Sequence, residues 1–169
     1  ASSAAKPAAA PQQARHVDLP EPQVQDGKVV PLSMMRKTIA RRLTDSKSGI
    51  PHYYVTMAID ADPLMEFRAR ANADAAAADD KNAVKISVND ILIKACAKTL
   101  KVVPQVNSSW SESGIVMHQR ADIGIAVAME EGLITPVVRG ADKKTLGEIA
   151  AEVADLVKRA RNKRLKPEE

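Results

Sequence analysis

Three histidines (His16, His52 and His118) and one cysteine, Cys96, are the most reactive side chains among 169 residues. They lie far apart in sequence, and no Cys/His/Asp/Glu run has the spacing of a zinc site. There is no phosphate-cradling GxxxxGK[ST], no GxGxxG after a strand and no GxSxG elbow, so P-loop, dinucleotide and serine-hydrolase chemistry have no support. The polar residues in distinctive settings are His52 in IPHYY, Asn89 and Asp90 in SVND, Asn107 in VNSSW and Thr135 in GLITP. Asn89 and Asp90 begin a helix, where backbone amides either orient an anion or are simply capped. His52 is either a hydrogen-bonded structural histidine or a site residue. Cys96 sits at an apolar helical position where burial is expected; being alone, it excludes an internal disulfide and fits a reducing compartment.

The elements that must hold these residues follow from periodicity. Ser33 is the expected N-cap of a helix to about Ser48, with Met35, Ile39 and Leu43 at four-residue spacing and Gly49-Ile50-Pro51 as its stop. His52 to Asp60, rich in Tyr, Val, Thr and Ile, reads as a strand. Asp62 followed by Pro63 reads as a cap and a first-turn proline, opening a helix that turns Leu64 and Phe67 inward. Ser87 and Asp90 form a capping box ahead of Val88, Ile91, Leu92, Ala95, Cys96, Thr99 and Leu100, the order of a buried helix face that Pro104 ends.

Gly114 to His118 and Asp122 to Met129 are expected to pair as a hairpin with His118 near its tip. Leu133 to Val138 is a further apolar stretch in which Pro136 argues for a sheet edge or an irregular segment. Thr145 and Glu148 make a second capping box. The helix they open aligns Leu146, Ile149, Val153, Leu156, Val157 and Ala160, with cations at its C-terminal end, where they suit the dipole. Strands and helices alternate, giving an α/β class with a mixed sheet.

At 45% hydrophobic content the chain can build one domain with a sizeable core. Aromatics are only 2%, so no platform for stacking bases is expected and nucleic acid is not a partner. The 25 Lys+Arg face 21 Asp+Glu, and the net +4 is either a solvated surface or a basic face for an anionic cofactor or partner. Residues 1–28 are rich in Ala, Pro and Gln and read as an extended linker. No apolar run approaches the roughly 18 residues of a membrane span.

Three segments carry a resemblance: VVPLSMMRKTIARRLTDSKSGIPHYYVTMAID (Val29 to Asp60), KISVNDILIKACAKTLKVVPQVNSSW (Lys85 to Trp110) and DIGIAVAMEEGLITPVV (Asp122 to Val138). Together they resemble the catalytic domain of the dihydrolipoamide acyltransferases of 2-oxo acid dehydrogenase complexes. The resemblance implies a two-layer, mixed-sheet sandwich of the chloramphenicol-acetyltransferase-like kind. Residues 29–169 would form the N-terminal part of the domain, the C-terminal part being absent. It also implies transfer of an acyl group from a lipoyl thioester to coenzyme A, the lipoyl group being carried on a domain outside this chain. The Ala/Pro-rich linker points to the pyruvate complex and hence to an acetyl group. Implied partners are further copies in a homotrimer that assembles into a large core, together with the 2-oxo acid decarboxylase and dihydrolipoamide dehydrogenase. The compartment would be the bacterial cytoplasm or, alternatively, the mitochondrial matrix.

Thioester exchange needs a base for the attacking thiol and donors for the oxyanion. The family supplies the base from an H-x-x-x-D-G histidine and the donor from a hydroxyl in a preceding TISNLG-like segment; the 169 residues contain neither. His118-Gln119-Arg120-Ala121-Asp122 has the H-x-x-x-D spacing, but Ile123 stands where glycine is needed, and DIGIAVA matches a different family segment. No catalytic residue is therefore assigned, and the chain alone is expected to be inactive. By resemblance the candidates for lining the substrate channel are His52, Asn89, Asp90, Asn107, Leu133, Thr135 and Pro136, while Trp110 reads as a core or interface anchor. MEEG replaces the small or proline-bearing turn that commonly precedes GLITP. The competing reading is a non-catalytic structural core component of the same type of complex.

Overall fold

Serine, threonine and proline signals set the helix boundaries of the computed structural model, which describes residues 27–78, 84–130, 132–166 and 168. The linker expected over 1–28 lies almost entirely outside the described residues. The chain divides into two units, one ending at His52 and one beginning at Tyr53. In the first, helix α1 spans Met34–Gly49, and Ser33 Oγ accepts the Arg36 amide at 3.3 Å as its cap. None of its residues is buried, and Leu43 in its apolar row is exposed.

In the second unit, Tyr53 to Asp60 forms no strand, contrary to expectation, and Tyr53, Val55, Met57 and Ile59 are exposed. A strand exists only through a partner that satisfies its backbone groups, and no described strand pairs with this stretch. Helix α2 spans Asp62–Ala77. Its capping differs from the expected pattern: Asp62 is the first helical residue, Ala61 holds the cap position without a side-chain cap bond, and Asp60 Oδ1 accepts the Asp62 amide at 3.0 Å. Phe67 is exposed, not inward. The helix also runs deep into the Ala-rich stretch, in keeping with alanine's high helix propensity.

Helix α3 spans Val88–Val102, and its capping box is complete: Ser87 Oγ accepts the Asp90 amide at 3.2 Å, and Asp90 Oδ2 accepts the Ser87 amide at 2.7 Å. The buried row is Asp90, Ile93 and Ala97, with Leu100 packed on the core. That row is rotated from the expected one, so Leu92 and Cys96 are exposed. The α3 face packed in the core with helix α4 (Leu146–Arg161) carries Ile93 and Ala97, and Leu92 lies off it.

A short 3₁₀ turn, Pro104–Val106, leads into strands β1 (Ser108–Ser111) and β2 (Gly114–Met117). These two pair with each other in a tight hairpin, Trp110 opposite Ile115 and Ser111 opposite Gly114. Gly114 has φ +142, a conformation that a Cβ disfavours. The expected partnership of Gly114–His118 with the following strand is thus replaced, and His118 sits at the hairpin's open end instead of its tip.

Strands β3 (Ile123–Gly124), β4 (Val127–Met129), β5 (Gly132–Ile134) and β6 (Val137–Val138) form two antiparallel pairs, β3–β6 and β4–β5, in a single continuous register. The ladder breaks opposite Pro136, which has no N–H to give, although the Pro136 carbonyl still accepts the Ile125 amide at 2.9 Å. The expected irregularity at Pro136 is therefore present. Helices α3 and α4 pack together and against this hairpin. Ile93, Ala97, Ala121, Val138, Ala141, Ile149 and Leu156 form the core between the two layers. The α/β class is as expected; its sheets are three antiparallel pairs among the described residues.

Helix α4 has the expected second box: Glu148 Oε2 accepts the Thr145 amide at 2.7 Å, and Thr145 Oγ1 accepts the Glu148 amide at 3.2 Å. Its stripe of Ile149, Leu156 and Ala160 is buried, with Val153 packed against the core.

Candidate functional site

The channel candidates fall into separate sets of contacts. His52 closes the first unit, exposed, with Nδ1 2.8 Å from the Ile50 carbonyl. Asn89 is exposed in the first turn of α3, whereas Asp90 beside it is 3% exposed. One Asp90 carboxylate oxygen closes the capping box; the other, Oδ1, is buried without a hydrogen-bond partner among the described residues. That oxygen is the most costly polar atom at this end of the helix, since a buried unsatisfied acceptor forfeits roughly 1 to 3 kcal/mol.

Leu133 is half exposed on β5, Thr135 is exposed and Pro136 is buried. Thr135 lies against Gly124 so closely that a Cβ at Gly124 would stand 3.0 Å from Thr135 Cγ2. Glycine at the second position of β3 is what lets this segment approach. The side-chain amide nitrogen of Asn107 donates to the carbonyls of His118 at 3.0 Å and Arg120 at 3.2 Å, and its backbone carbonyl accepts the His118 amide at 2.8 Å. It pins the strand leaving the hairpin.

The residues of the His118–Asp122 segment sit beside it. His118 Nε2 is 2.7 Å from Ser109 Oγ, a hydroxyl–imidazole pair across the hairpin. Arg120 grips Asp122 with two bonds, Nε to Oδ1 at 2.6 Å and Nη2 to Oδ2 at 2.7 Å. The Gly140 amide donates to Asp122 Oδ1 at 2.8 Å from a left-handed residue, φ +59. The Arg120 hydrogen bonds hold the Asp122 carboxyl below the usual carboxylate range against an opposing effect of burial, with the Gly140 amide and the charge of Arg139 assisting. Its bond to Asp122 holds the Arg120 guanidinium above its ordinary value. Glu148 is likewise lowered, first by the Thr145 amide and then by its hydroxyl.

Lys94 is an unforeseen residue. From the middle of α3 its ammonium donates to the carbonyls of Ala141 at 3.3 Å, Asp142 at 3.0 Å and Lys144, tying the helix to the loop that precedes α4. The signal was a lysine flanked by apolar residues in DILIKACA. Among the described residues no group of three or more His, Cys, Asp or Glu is placed to hold a metal ion.

The fold and these segments define an acyltransferase catalytic domain. The family described as "2-oxoacid dehydrogenases acyltransferase (catalytic domain)" matches residues 24–169, and the chain belongs to it. It is 50% identical over 142 residues, 84% of its length, to the dihydrolipoyllysine-residue acetyltransferase component of the pyruvate dehydrogenase complex of Rhizobium meliloti, of which it covers 32%. It is 46% identical over 145 residues to the mitochondrial counterpart from Caenorhabditis elegans, covering 86% of this chain and 29% of that protein. Among solved structures, the cubic core of the pyruvate dehydrogenase multienzyme complex superimposes with a TM-score of 0.78 at 34% identity, covering 89% of this chain and 63% of that one. A probable dihydrolipoamide acetyltransferase from Listeria monocytogenes does so with a TM-score of 0.74 at 33% identity, covering 83% of this chain and 59% of that one. The chain thus spans about a third of the length of these curated relatives and is a partial catalytic domain. Among its described residues no helix is long and apolar enough to cross a membrane.

Proposed function

We propose that this chain is the N-terminal part of the catalytic core of a dihydrolipoamide acetyltransferase, which passes an acetyl group from a lipoyl thioester to coenzyme A within a pyruvate dehydrogenase complex. The observation that carries the proposal is the family match over residues 24–169 together with the close relatives named above. In this reading residues 1–28 are the tether and residues 29–169 belong to the domain. Coenzyme A is a substrate, and the lipoyl group arrives on a separate domain. The core is a homotrimer built into a larger assembly, served by the 2-oxo acid decarboxylase and dihydrolipoamide dehydrogenase. Bacterial cytoplasm is the compartment, with a mitochondrial matrix as the alternative, since relatives of both kinds are found.

The chemistry places demands that the chain's own residues meet only in part. Attack of the coenzyme A thiol on the thioester carbon needs a base for the thiol proton and a donor for the oxyanion. Within the 169 residues no histidine lies in an H-x-x-x-D-G pattern. What the chain supplies is framework and channel wall: the GLITP segment seated on Gly124, the capped start of α3 with Asn89 and Asp90, Leu133 on β5, His52, and the backbone that Asn107 fixes. Reading the coding sequence downstream of the Glu169 codon tests this. A TISNLG-like segment followed by H-R-x-x-D-G is expected, and a stop codon there would replace the enzyme reading with that of a structural core component.

A further inference from the structure

We propose that the cavity at the open end of the β1–β2 hairpin is a binding site for a phosphate monoester, held by Ser109, His118 and Arg120. The cavity, about 540 Å³, is lined by Leu100 and Val106 and by polar residues of β1 and of the segment that follows β2. Strand alternation sorts those side chains: with Trp110 opposite Ile115 and Ser108 opposite Met117 on one face, Ser109 lies on the other. There it meets His118, and Arg120 follows two residues on. The open end of the hairpin thus borders the cavity through Ser108, Ser109 and His118.

The polar groups are held in place before any ligand arrives. Asn107 fixes the backbone of His118 and Arg120 through both their carbonyls and the His118 amide. The Ser109 hydroxyl sets the His118 ring at 2.7 Å. Asp122 fixes the Arg120 guanidinium with two bonds. A guanidinium carries five N–H donors, so three remain beyond those two bonds. The charge of Asp122 is already met by Arg120, by the Gly140 amide and by Arg139 at 3.8 Å. The Lys101 ammonium is 3.4 Å from the carbonyl of Gln119, a lining residue. The wall therefore offers a hydroxyl, an imidazole and a guanidinium whose charge Asp122 balances, with Arg139 and Lys101 as further cations nearby. A tetrahedral phosphate can accept from all three at once, and arginine suits it better than a point charge does.

The test is titration of the 169-residue chain with inorganic phosphate at constant ionic strength, followed through the histidine imidazole resonances. The chain has three histidines, which His118→Gln assigns. We expect a saturable shift at His118 with His16 and His52 unmoved, weakened roughly tenfold in Arg120→Gln, the scale of one charged hydrogen bond, and less in Ser109→Ala. Because Arg120→Gln also deprives Asp122 of its partner, Ser109→Ala decides the matter if that variant does not fold. Coenzyme A and dephospho-coenzyme A are then compared. Tighter binding by coenzyme A at this site identifies its 3′-phosphate as the source, and equal binding identifies free phosphate. A linear shift without saturation, equal shifts at all three histidines, or affinity unchanged in both variants would overturn the proposal.

Discussion

Replacing Lys94 by methionine keeps most of the stem's volume, removes one ammonium and strands three carbonyls that converge on it. Those carbonyls belong to Ala141, Asp142 and Lys144, nearly 50 residues along the chain from Lys94. Hydrogen bonds to charged groups contribute about 1.5 to 3 kcal/mol each in isolation, and a stranded buried acceptor costs about 1 to 3 kcal/mol. The three do not add. Asp142 and Lys144 are only half buried, so water can reach them, whereas Ala141 is fully buried and cannot readily turn outward. One stranded carbonyl plus a partial loss at the other two gives about 2 to 3 kcal/mol. Lys98→Met, four residues along the same helix at an exposed position, should change stability by less than about 0.5 kcal/mol. Urea unfolding at neutral pH, with the slope unchanged between variants, measures both. Amide exchange should also accelerate over 139–145 in Lys94→Met alone. Equal midpoints for the two variants would refute the claim that this ammonium fastens the loop to α3.

Leu156→Ala should cost about 2 to 4 kcal/mol, because Leu156 is 3% exposed in the core, while Leu133→Ala at a half-exposed position costs far less; equal losses by thermal melting would discredit the layer assignment. Asp122 is held below the usual carboxylate range by Arg120, so the stability it contributes is fully present above its unfolded value of about 3.9 and is lost as pH falls through its lower folded value. In Asp122→Asn the unfolding free energy should drop at pH 7, and the acid limb below about pH 4 should flatten; an unchanged acid limb would count against the Arg120 pairing. Gly124→Ala places a methyl 3.0 Å from Thr135 Cγ2 and should cost about 1 kcal/mol by overpacking, which Thr135→Ser should recover. Failure of that rescue would mean that the close approach does not set the requirement for glycine.

Local chemistry was legible and pairing was not. The boxes at Ser87/Asp90 and Thr145/Glu148, the cap at Ser33 and the break at Pro136 all stand where short-range rules place them. Each depends on residues within one turn or one missing N–H. The strand read over His52–Asp60 failed because a strand's stability lies in its neighbours, and no local pattern names them. The hairpin departs from expectation for a similar reason: Gly114 reads as a strand start unless the tight turn that Ser113-Gly114 signals is weighed with it. Cys96 was read as buried because apolar residues surround α3 on more than one side; which side faces α4 is a tertiary choice. The roles of Lys94, Arg120 and Asp122 are not legible in the sequence because their partners come from the loop at 139–144 or become meaningful only once that loop is in place.

The central claim, that this chain is acyltransferase framework without the base that performs the reaction, is tested most directly by acetyl transfer. Purified 169-residue protein is incubated with acetyl-dihydrolipoamide and coenzyme A, and acetyl-coenzyme A is measured. Loss of general-base catalysis alone costs roughly 10²- to 10⁴-fold, so the account predicts no turnover above the uncatalysed rate. Robust turnover abolished by His118→Ala would contradict it and make the histidine beside Ser109 the catalytic base; turnover abolished instead by His52→Ala would contradict it equally and move the chemistry to the IPHYY segment.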